Sequence, residues 1–336
     1  MTTAKPSLKS LLARHEVVLL LVIALEVVLF SALGRRFLDG SNVSNIFRFS
    51  VEVGLLALAM TPVILTGGID LSVGSMMGLC AVCFGMLVKE ASLSPWIAAV
   101  LSVGIGTVGG GLNAFLIARM KLPPLIVTLG TFSLFRGLAE ALTKGSKSYS
   151  AFPDSFLALG NSTVAGLPAQ LWIFFLVALG IWLLVHRTTL GRSFRAIGYS
   201  PEGSRYAGIP VERNLSLAYV LTGAVAGLAA VILVARLGEA RANAGIGYEL
   251  LAITAVVLGG TSIFGGSGTI AGTLLGFLAV AILDNGLTRM YDYEVFDKTI
   301  ASVANEMSGM LTGLLLLLAL AVIPITKALA ARRSKT

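Results

Sequence analysis

Ten predominantly apolar stretches separated by polar breaks organise this chain, at 17–33, 50–66, 71–88, 95–118, 124–142, 169–186, 215–235, 248–264, 269–288 and 308–327. Each approaches the roughly 20 residues a helix needs to cross the hydrocarbon core of a bilayer. The stretches are apolar all round and not striped, the pattern of helices buried in lipid or in one another. The pattern therefore predicts an all-α polytopic bundle of about ten transmembrane helices, with the third and eighth least sharply bounded. No polar segment between them is long enough to fold alone, so residues 1–336 are expected to form a single membrane domain with short termini at 1–15 and 328–336. The first stretch is too long for a removable signal peptide, and no small-residue cleavage site follows it.

Composition agrees with this picture. Hydrophobic residues make up 56% of the 336 positions and charged residues 12%, against about 25% charged in a typical soluble domain. Glycine occurs 38 times, and in lipid small residues let helices approach backbone to backbone. Gly-x-x-x-Gly pairs at Gly106/Gly110, Gly223/Gly227 and Gly272/Gly276 mark such faces. The net charge of +8 is distributed between apolar runs and does not gather into one basic surface, so it speaks for membrane topology and not for nucleic acid. Placing both termini in the cytoplasm puts Arg119, Lys121, Arg187, Arg192, Arg195, Arg205 and Arg213 inside as well. Arg35, Arg36 and Arg48 then fall outside, against the trend.

Several constellations are excluded. Cys80 and Cys83 lie within one apolar helix and read as small buried side chains. His15 and His186 flank spans far apart in sequence and read as neither metal ligands nor a catalytic pair, so no catalytic or metal site is expected. No G-x-x-x-x-G-K-[ST] loop occurs, and the chain lacks the usual means of binding ATP. Nor is there a ladder of intramembrane carboxylates of the kind ion-driven carriers use, although an ion-coupled secondary transporter of a small polar solute is the alternative reading.

Two glycine-rich breaks interrupt apolar runs, Thr66–Ser75 and Leu258–Thr269. Non-helical backbone at membrane depth survives only where protein or a water-filled cavity surrounds it. Gly67, Gly68, Asp70, Ser72, Thr261 and Phe264 are thus candidates for a broken helix or a translocation pathway, together with Asn113, Thr128, Phe132 and Asn285 from neighbouring spans. Asp70 is expected to N-cap the helix that follows, with solute contact as the alternative. Arg136 and Glu140 are i and i+4 on one helix, and the plainer reading is a mutual ion pair. The segment 143–168, with Pro153 and Pro168, reads as a long external loop.

The loop 187–214 carries definite start and stop signals. Ser200 is placed to cap a short helix beginning at Pro201, with Glu202 in its first turn and Gly208 ending it before Pro210. A capped helix lying across the cytoplasmic face suits docking.

These residues carry a resemblance. GGIDLSVGS at 67–75, PPLIVTLGTFSLFRG at 123–137, FRAIGYSPEGSRYAGI at 194–209 and ELLAITAVVLGGTSIFGGSGTIAGTLLG at 249–276 closely resemble the permeases of ribose-, arabinose- and xylose-type ABC importers, in order and over about residues 15–325. Cys80-Ala81-Val82, Gly85-Met86-Leu87 and the region 166–236 are most similar to the autoinducer-2 branch, with the rhamnose branch close by. The resemblance implies a type II-like importer fold in the bacterial inner membrane, surrounded by lipid, and import of a sugar-like solute. It implies as partners a second permease subunit, identical or not, a cytoplasmic ATPase with two fused halves that binds the ATP and magnesium, and a periplasmic solute-binding protein. It also implies that Arg195, Gly198, Ser200, Pro201, Glu202, Arg205, Gly208 and Ile209 belong to the coupling helix seated in that ATPase. Tyr199-Ser200 stands where many relatives have Gly-Asn or Asn.

Overall fold

A computed structural model describes residues 15–33, 36–291, 310 and 313–314. Nine apolar helices occupy nine of the ten expected positions: α1 (His15–Leu33), α2 (Gly40–Leu65), α3 (Val73–Lys89), α4 (Pro95–Ala114, continued by a π-turn at Phe115–Arg119), α5 (Pro124–Leu142), α7 (Ala169–Arg187), α10 (Val211–Leu237), α11 (Tyr248–Leu258) and α12 (Ile270–Tyr291). Between them lie the short helices α6 (Asp154–Asn161), α8 (Thr189–Tyr199) and α9 (Pro201–Tyr206). Seven of the nine are long and apolar enough to cross a membrane, and α3 and α11, the third and eighth stretches, are the shorter two. The tenth stretch, 308–327, and both terminal segments lie outside the described residues.

α2 is the axis of the bundle. From Val51 to Leu65 every residue is buried, because its surface is apolar all round and other helices enclose it. Pro62 removes one helical hydrogen bond, and hydroxyls gather around that turn: Thr222 of α10 donates to Ala59 O (3.2 Å), and Thr61 pairs with Thr273 of α12 (2.9 Å). Glu52 of α2 is fully buried and accepts from Arg236 Nε of α10 at 2.9 Å. An intramembrane carboxylate needs such a partner.

Glycine sets the closest crossings. Any Cβ at Gly106 would strike Gly223 O, at Gly223 it would meet the backbone of Gly110, and at Gly227 that of Ser102 and Val103, so α4 and α10 touch backbone to backbone. Gly272 and Gly276 pack in the same way on Gly259 and Ala255 of the α11 end. The three Gly-x-x-x-Gly pairs are all helix-packing faces.

Four expectations about element bounds change. α2 begins at Gly40, ten residues before the apolar run, because its polar first turns are anchored: Asp39 caps Ser41 N, and Asn42 donates to Phe37 O and to Asn285 of α12, both at 2.9 Å. α11 stops at Leu258, since Gly259–Gly260 turn the chain. The 143–168 segment is ordered and not a plain loop: β1 (Tyr149–Ser150) pairs antiparallel with β4 (Glu239–Ala240), α6 buries Phe156 against Phe84 at 4.8 Å, and β2 (Thr163–Val164) forms a hairpin with β3 (Leu167–Pro168). The 187–214 loop contains two helices, α8 and α9, where one was expected.

The α4–α10 contact is testable by overpacking, which costs about 1–3 kcal/mol in a tight site. Gly223→Val is expected to lower the thermal midpoint of the detergent-solubilised protein clearly, whereas Gly104→Val, where a Cβ meets nothing within 4 Å, should leave it nearly unchanged.

Candidate functional site

The two glycine-rich breaks, expected as separate features, meet at one end of the bundle. α2 stops at Leu65, and its last carbonyl accepts from Gly266 N at 2.9 Å. Gly67 and Gly265 sit in the left-handed region at φ 81° and 84°, conformations that cost glycine nothing. A Cβ at Gly265 would strike Gly67 N and the Cα of Gly198, and one at Gly198 would strike Leu65 O and Gly266 N. The α8 helix therefore rests, through Gly198, on the seam between the two breaks with no side chain intervening.

Other residues stitch the same seam. Arg195 of α8 donates to Val185 O (3.1 Å) and Gly268 O (3.4 Å). His186, at the end of α7, accepts from Ile270 N at 3.2 Å, and His15 Nε2 donates to Leu258 O at 2.7 Å. The two histidines, distant in sequence, thus hold the two ends of the 258–270 link. That pairing had no signal in the chain's local pattern.

Beyond α8 the chain turns at Ser200, whose Oγ accepts from Gly203 N at 3.0 Å and caps α9, with Pro201 first and Glu202 in the first turn. Arg205 of α9 pairs with Glu212 at 3.1 Å. The turn closes with Gly208 at φ 76° and Ile209 N bonded to Ser204 O at 2.9 Å. Apart from Ser204 the α9 residues are exposed, and Tyr199 and Tyr206, 89% and 93% exposed, flank a knob that projects from the bundle.

The 66–72 link itself is held from three sides. Asp70 Oδ1 accepts from Ser72 N (2.9 Å) and Ser72 Oγ (2.6 Å), Asn113 of α4 donates to Ser72 Oγ (2.8 Å), and Thr128 of α5 donates to Ile69 O (3.2 Å). Tyr219 of α10 places its hydroxyl against Gly68. Asp70 is not the N-cap of α3, as expected; Ser72 occupies that position, and Asp70 closes the turn before it. Both residues are buried, so their hydrogen bonds hold the turn from inside the bundle.

The remaining pathway candidates do not join this cluster. Thr261 is buried against Gly268, Phe264 is 82% exposed beside the seam, and Phe132 is half-buried on α5. Asn285 lies at the opposite end of the bundle with Asn42 and Arg289, about 37 Å from Gly67 along α2 at 1.5 Å per residue.

A third irregular stretch was not anticipated. After α10 ends at Leu237, residues 239–247 run back along α3. β4 lies beside Tyr149, which packs on Gly85; the carbonyls of Ala242 and Ala244 face Gly78; and Gly245 packs on Gly74 before α11 starts at Tyr248. The descent from Gly85 to Gly74 covers about 16 Å of helix. Arg136 of α5 makes it tolerable by donating to Ala242 O and, at 3.2 Å, to Ala244 O. This replaces the expected Arg136–Glu140 ion pair: the guanidinium is drawn to two half-buried backbone carbonyls. The buried carboxylate of Glu249 accepts from Gly247 N at 3.3 Å.

Many membrane-crossing helices, interrupted by buried non-helical segments and carrying one capped knob, make a multi-pass membrane permease. Residues 42–320 match the family described as the permease component of the branched-chain amino acid transport system, and the chain belongs to that family. It is 40% identical over 311 residues, 90% of its own length and 89% of theirs, to the autoinducer 2 import system permease protein LsrD of Escherichia coli (strain K12) and of Shigella flexneri. The same protein of Escherichia coli O157:H7 is equally similar. No solved structure matches. The chain is thus a multi-pass inner-membrane permease subunit of an ABC importer, a transporter component that works with an ATPase and a substrate-binding partner.

Two outcomes follow from the geometry. Arg136→Met leaves the Ala242 and Ala244 carbonyls unpaired, at about 1–3 kcal/mol each, so amide exchange over 241–247 is expected to quicken while α3 stays protected. Beside β1, Glu90 is held below the usual carboxylate range by hydrogen bonds from Lys147 and Tyr149. A depressed carboxylate contributes above its unfolded pKa of about 4.3 and is lost as pH falls through its folded one. The mobility of a spin label attached at Ser146→Cys before the titration should therefore be constant from neutral pH to about 4.3 and rise only below it, and Glu90→Gln should remove that step.

Proposed function

We propose that this permease moves a sugar-like solute of the autoinducer-2, rhamnose or ribose class into the cytoplasm, driven through α9. The observation that carries this reading is the seat of Gly198: the helix that presents the knob rests directly on the junction of both glycine-rich breaks. A push on α9 reaches α2 and α12 through backbone contacts, without first deforming side chains. Arg195, Ser200, Pro201, Glu202, Arg205, Gly208 and Ile209 belong to this coupling element, and its seat is in the ATPase. The ATPase has two fused halves and binds the ATP and magnesium; this chain performs no chemistry on the solute.

The solute class is supported by the 40% identity to the autoinducer 2 permeases across nine-tenths of the chain. The polar residues within the spans are mostly hydroxyls and amides, which suit an uncharged polyol better than an ion. A second permease subunit completes the passage, a periplasmic binding protein delivers the solute, and both termini lie in the cytoplasm, the side of the α8–α9 knob. Alternating access then arises from a tilt of packed helices, with the breaks at 66–75 and 258–269 as the yielding or pore-facing elements.

Gly198→Pro, which disrupts α8 at its seat, and Glu202→Lys, which reverses the exposed charge of the knob, are expected to reduce uptake about tenfold or more while leaving membrane insertion intact. Uptake measured in cells with the partner subunits present checks this, and wild-type uptake by both variants would remove the coupling assignment.

A further inference from the structure

At the end of the bundle opposite the knob, the first turns of α2 face the last turns of α12 across a cleft of about 410 Å³. Asn45, Phe49 and Ser50 line it from α2, and Asp284, Thr288 and Arg289 from α12. That volume lies within the range of small-ligand pockets. Deeper along the same helices, and sharing Phe49, Ser50 and Asp284, a narrower recess of about 70 Å³ runs between Val53, Leu251 and Phe277 to Tyr248, where α11 begins. Polar side chains of two helices are thus turned toward one cavity, which water fills when no solute does.

Two charges in the cleft are unanswered among the described residues. Asp284 is exposed and Arg289 half-buried, and neither belongs to any of the four ion pairs among those residues. Arg289 is nevertheless held in place. Its Nε donates to Asn42 Oδ1 at 2.9 Å, and buried Asn42 is itself fixed by Asn285 and by Phe37 O. That bond uses one of the five N–H groups of the guanidinium, so its terminal nitrogens remain to donate to a ligand. Thr288 spends its proton on Asp284 O at 2.9 Å and keeps its lone pairs.

A fixed guanidinium that only donates and a carboxylate that only accepts stand on one wall, with amide and hydroxyl groups opposite. This set suits a molecule whose groups both donate and accept, and charge-assisted bonds of this kind are the stronger ones. Hydroxyls do both. A simple ion of either sign meets a like charge here, Asp284 for an anion and Arg289 for a cation. We propose that the cleft is an outer binding site for a small neutral polyol, its hydroxyls held between Asp284 and Arg289 and its carbon face on the exposed ring of Phe49. The choice of a polyol rests on the sugar-import reading, whereas the existence of a site rests on the cleft alone. α2 and α12 both run from this cleft to the glycine seam, with Leu65 and Ile270 as their inner ends. A bound polyol therefore bridges the outer ends of two helices that the seam joins at their inner ends.

The cleft belongs to one chain, so binding is measured on the purified permease alone, in phosphatidylcholine nanodiscs, by saturation-transfer NMR with D-ribose and L-rhamnose. At least one of the two sugars is expected to give a saturable signal. Asp284→Asn and Arg289→Gln should each weaken it about tenfold or more. Arg289→Lys, which keeps the charge but loses the fork that Asn42 orients, should weaken it as well. Arg192→Gln, an exposed charge at the opposite end of the bundle, should leave it unchanged. L-leucine tests for a zwitterion spanning the two charges: saturable leucine binding without sugar binding overturns the polyol assignment. No saturable sugar signal, or wild-type affinity in both Asp284→Asn and Arg289→Gln, overturns the site. Gel filtration and circular dichroism confirm that each variant is folded. Sugar uptake by the assembled importer without binding to the purified chain removes the cleft and leaves the import reading standing, whereas Gly198→Pro is expected to lose uptake and still bind sugar with wild-type affinity.

Discussion

A polypeptide in hydrocarbon has no water to satisfy its peptide groups, so wherever the helix is interrupted some other part of the protein must supply the missing partners. Among the described residues the chain interrupts its helices three times within the bundle, and each interruption recruits specific partners. Gly266 N reaches Leu65 O where α2 ends. Ser72, Asp70, Asn113 and Thr128 close the 66–72 turn. Arg136 spans the two carbonyls of the 239–247 descent. Ser72 and Asp70 close their turn locally, whereas Asn113, Thr128, Gly266 and Arg136 come from other elements. The requirement that makes each break costly therefore also binds it to distant elements, and the breaks become the points where α2, α4, α5, α8 and α12 are mechanically joined.

The rest of the bundle is packed into tight blocks. Where α4 meets α10, and α11 meets α12, glycine faces leave backbone in contact with backbone and no side chain able to swing aside. Close-packed interiors of this kind transmit strain and do not absorb it. The buried Glu52–Arg236 pair adds a second lock between α2 and α10, since separating it would leave an uncompensated charge in a dry place. Compliance is thereby concentrated at the glycine seam, the one region where three left-handed glycines, Gly67, Gly265 and Gly266, lie beside a helix that carries the exposed knob.

The nine helices were legible because membrane thickness is a ruler, and apolar length read against it locates a span without any knowledge of packing. The Gly-x-x-x-Gly faces were legible for a related reason, since their function is local in sequence. The misses share one cause. The polar start of α2 reads as a loop until Asn42 is seen bonded to Asn285, 243 residues away. Arg136 looks for a partner one turn along its helix, but buried carbonyls more than 100 residues on attract it more strongly. The 239–247 segment keeps Arg241 and Asn243 exposed, and its run along α3 is anchored by that arginine. A polar residue in lipid announces that it has a partner, and only the fold says which.

Under the proposed coupling, a hinge at this seam would be both firm and yielding. Side chains interlocked across a joint would have to repack for it to move, and repacking a core is costly in either direction. Gly198 meets Leu65 O and Gly266 N with no side chain to disengage, and the bond between those two residues has a net value of only about 0.5–1.5 kcal/mol. Breaking and remaking one such bond is a small toll for a helix shift of an ångström or two, the scale of motion typical of coupled transitions. Arg195 and His186, gripping Gly268 O and Ile270 N, keep the link attached to α8 and α7 while the seam slides. A larger residue at any of these glycines would make the joint stiffer or push it apart, and in both cases α9 would lose its hold on α2.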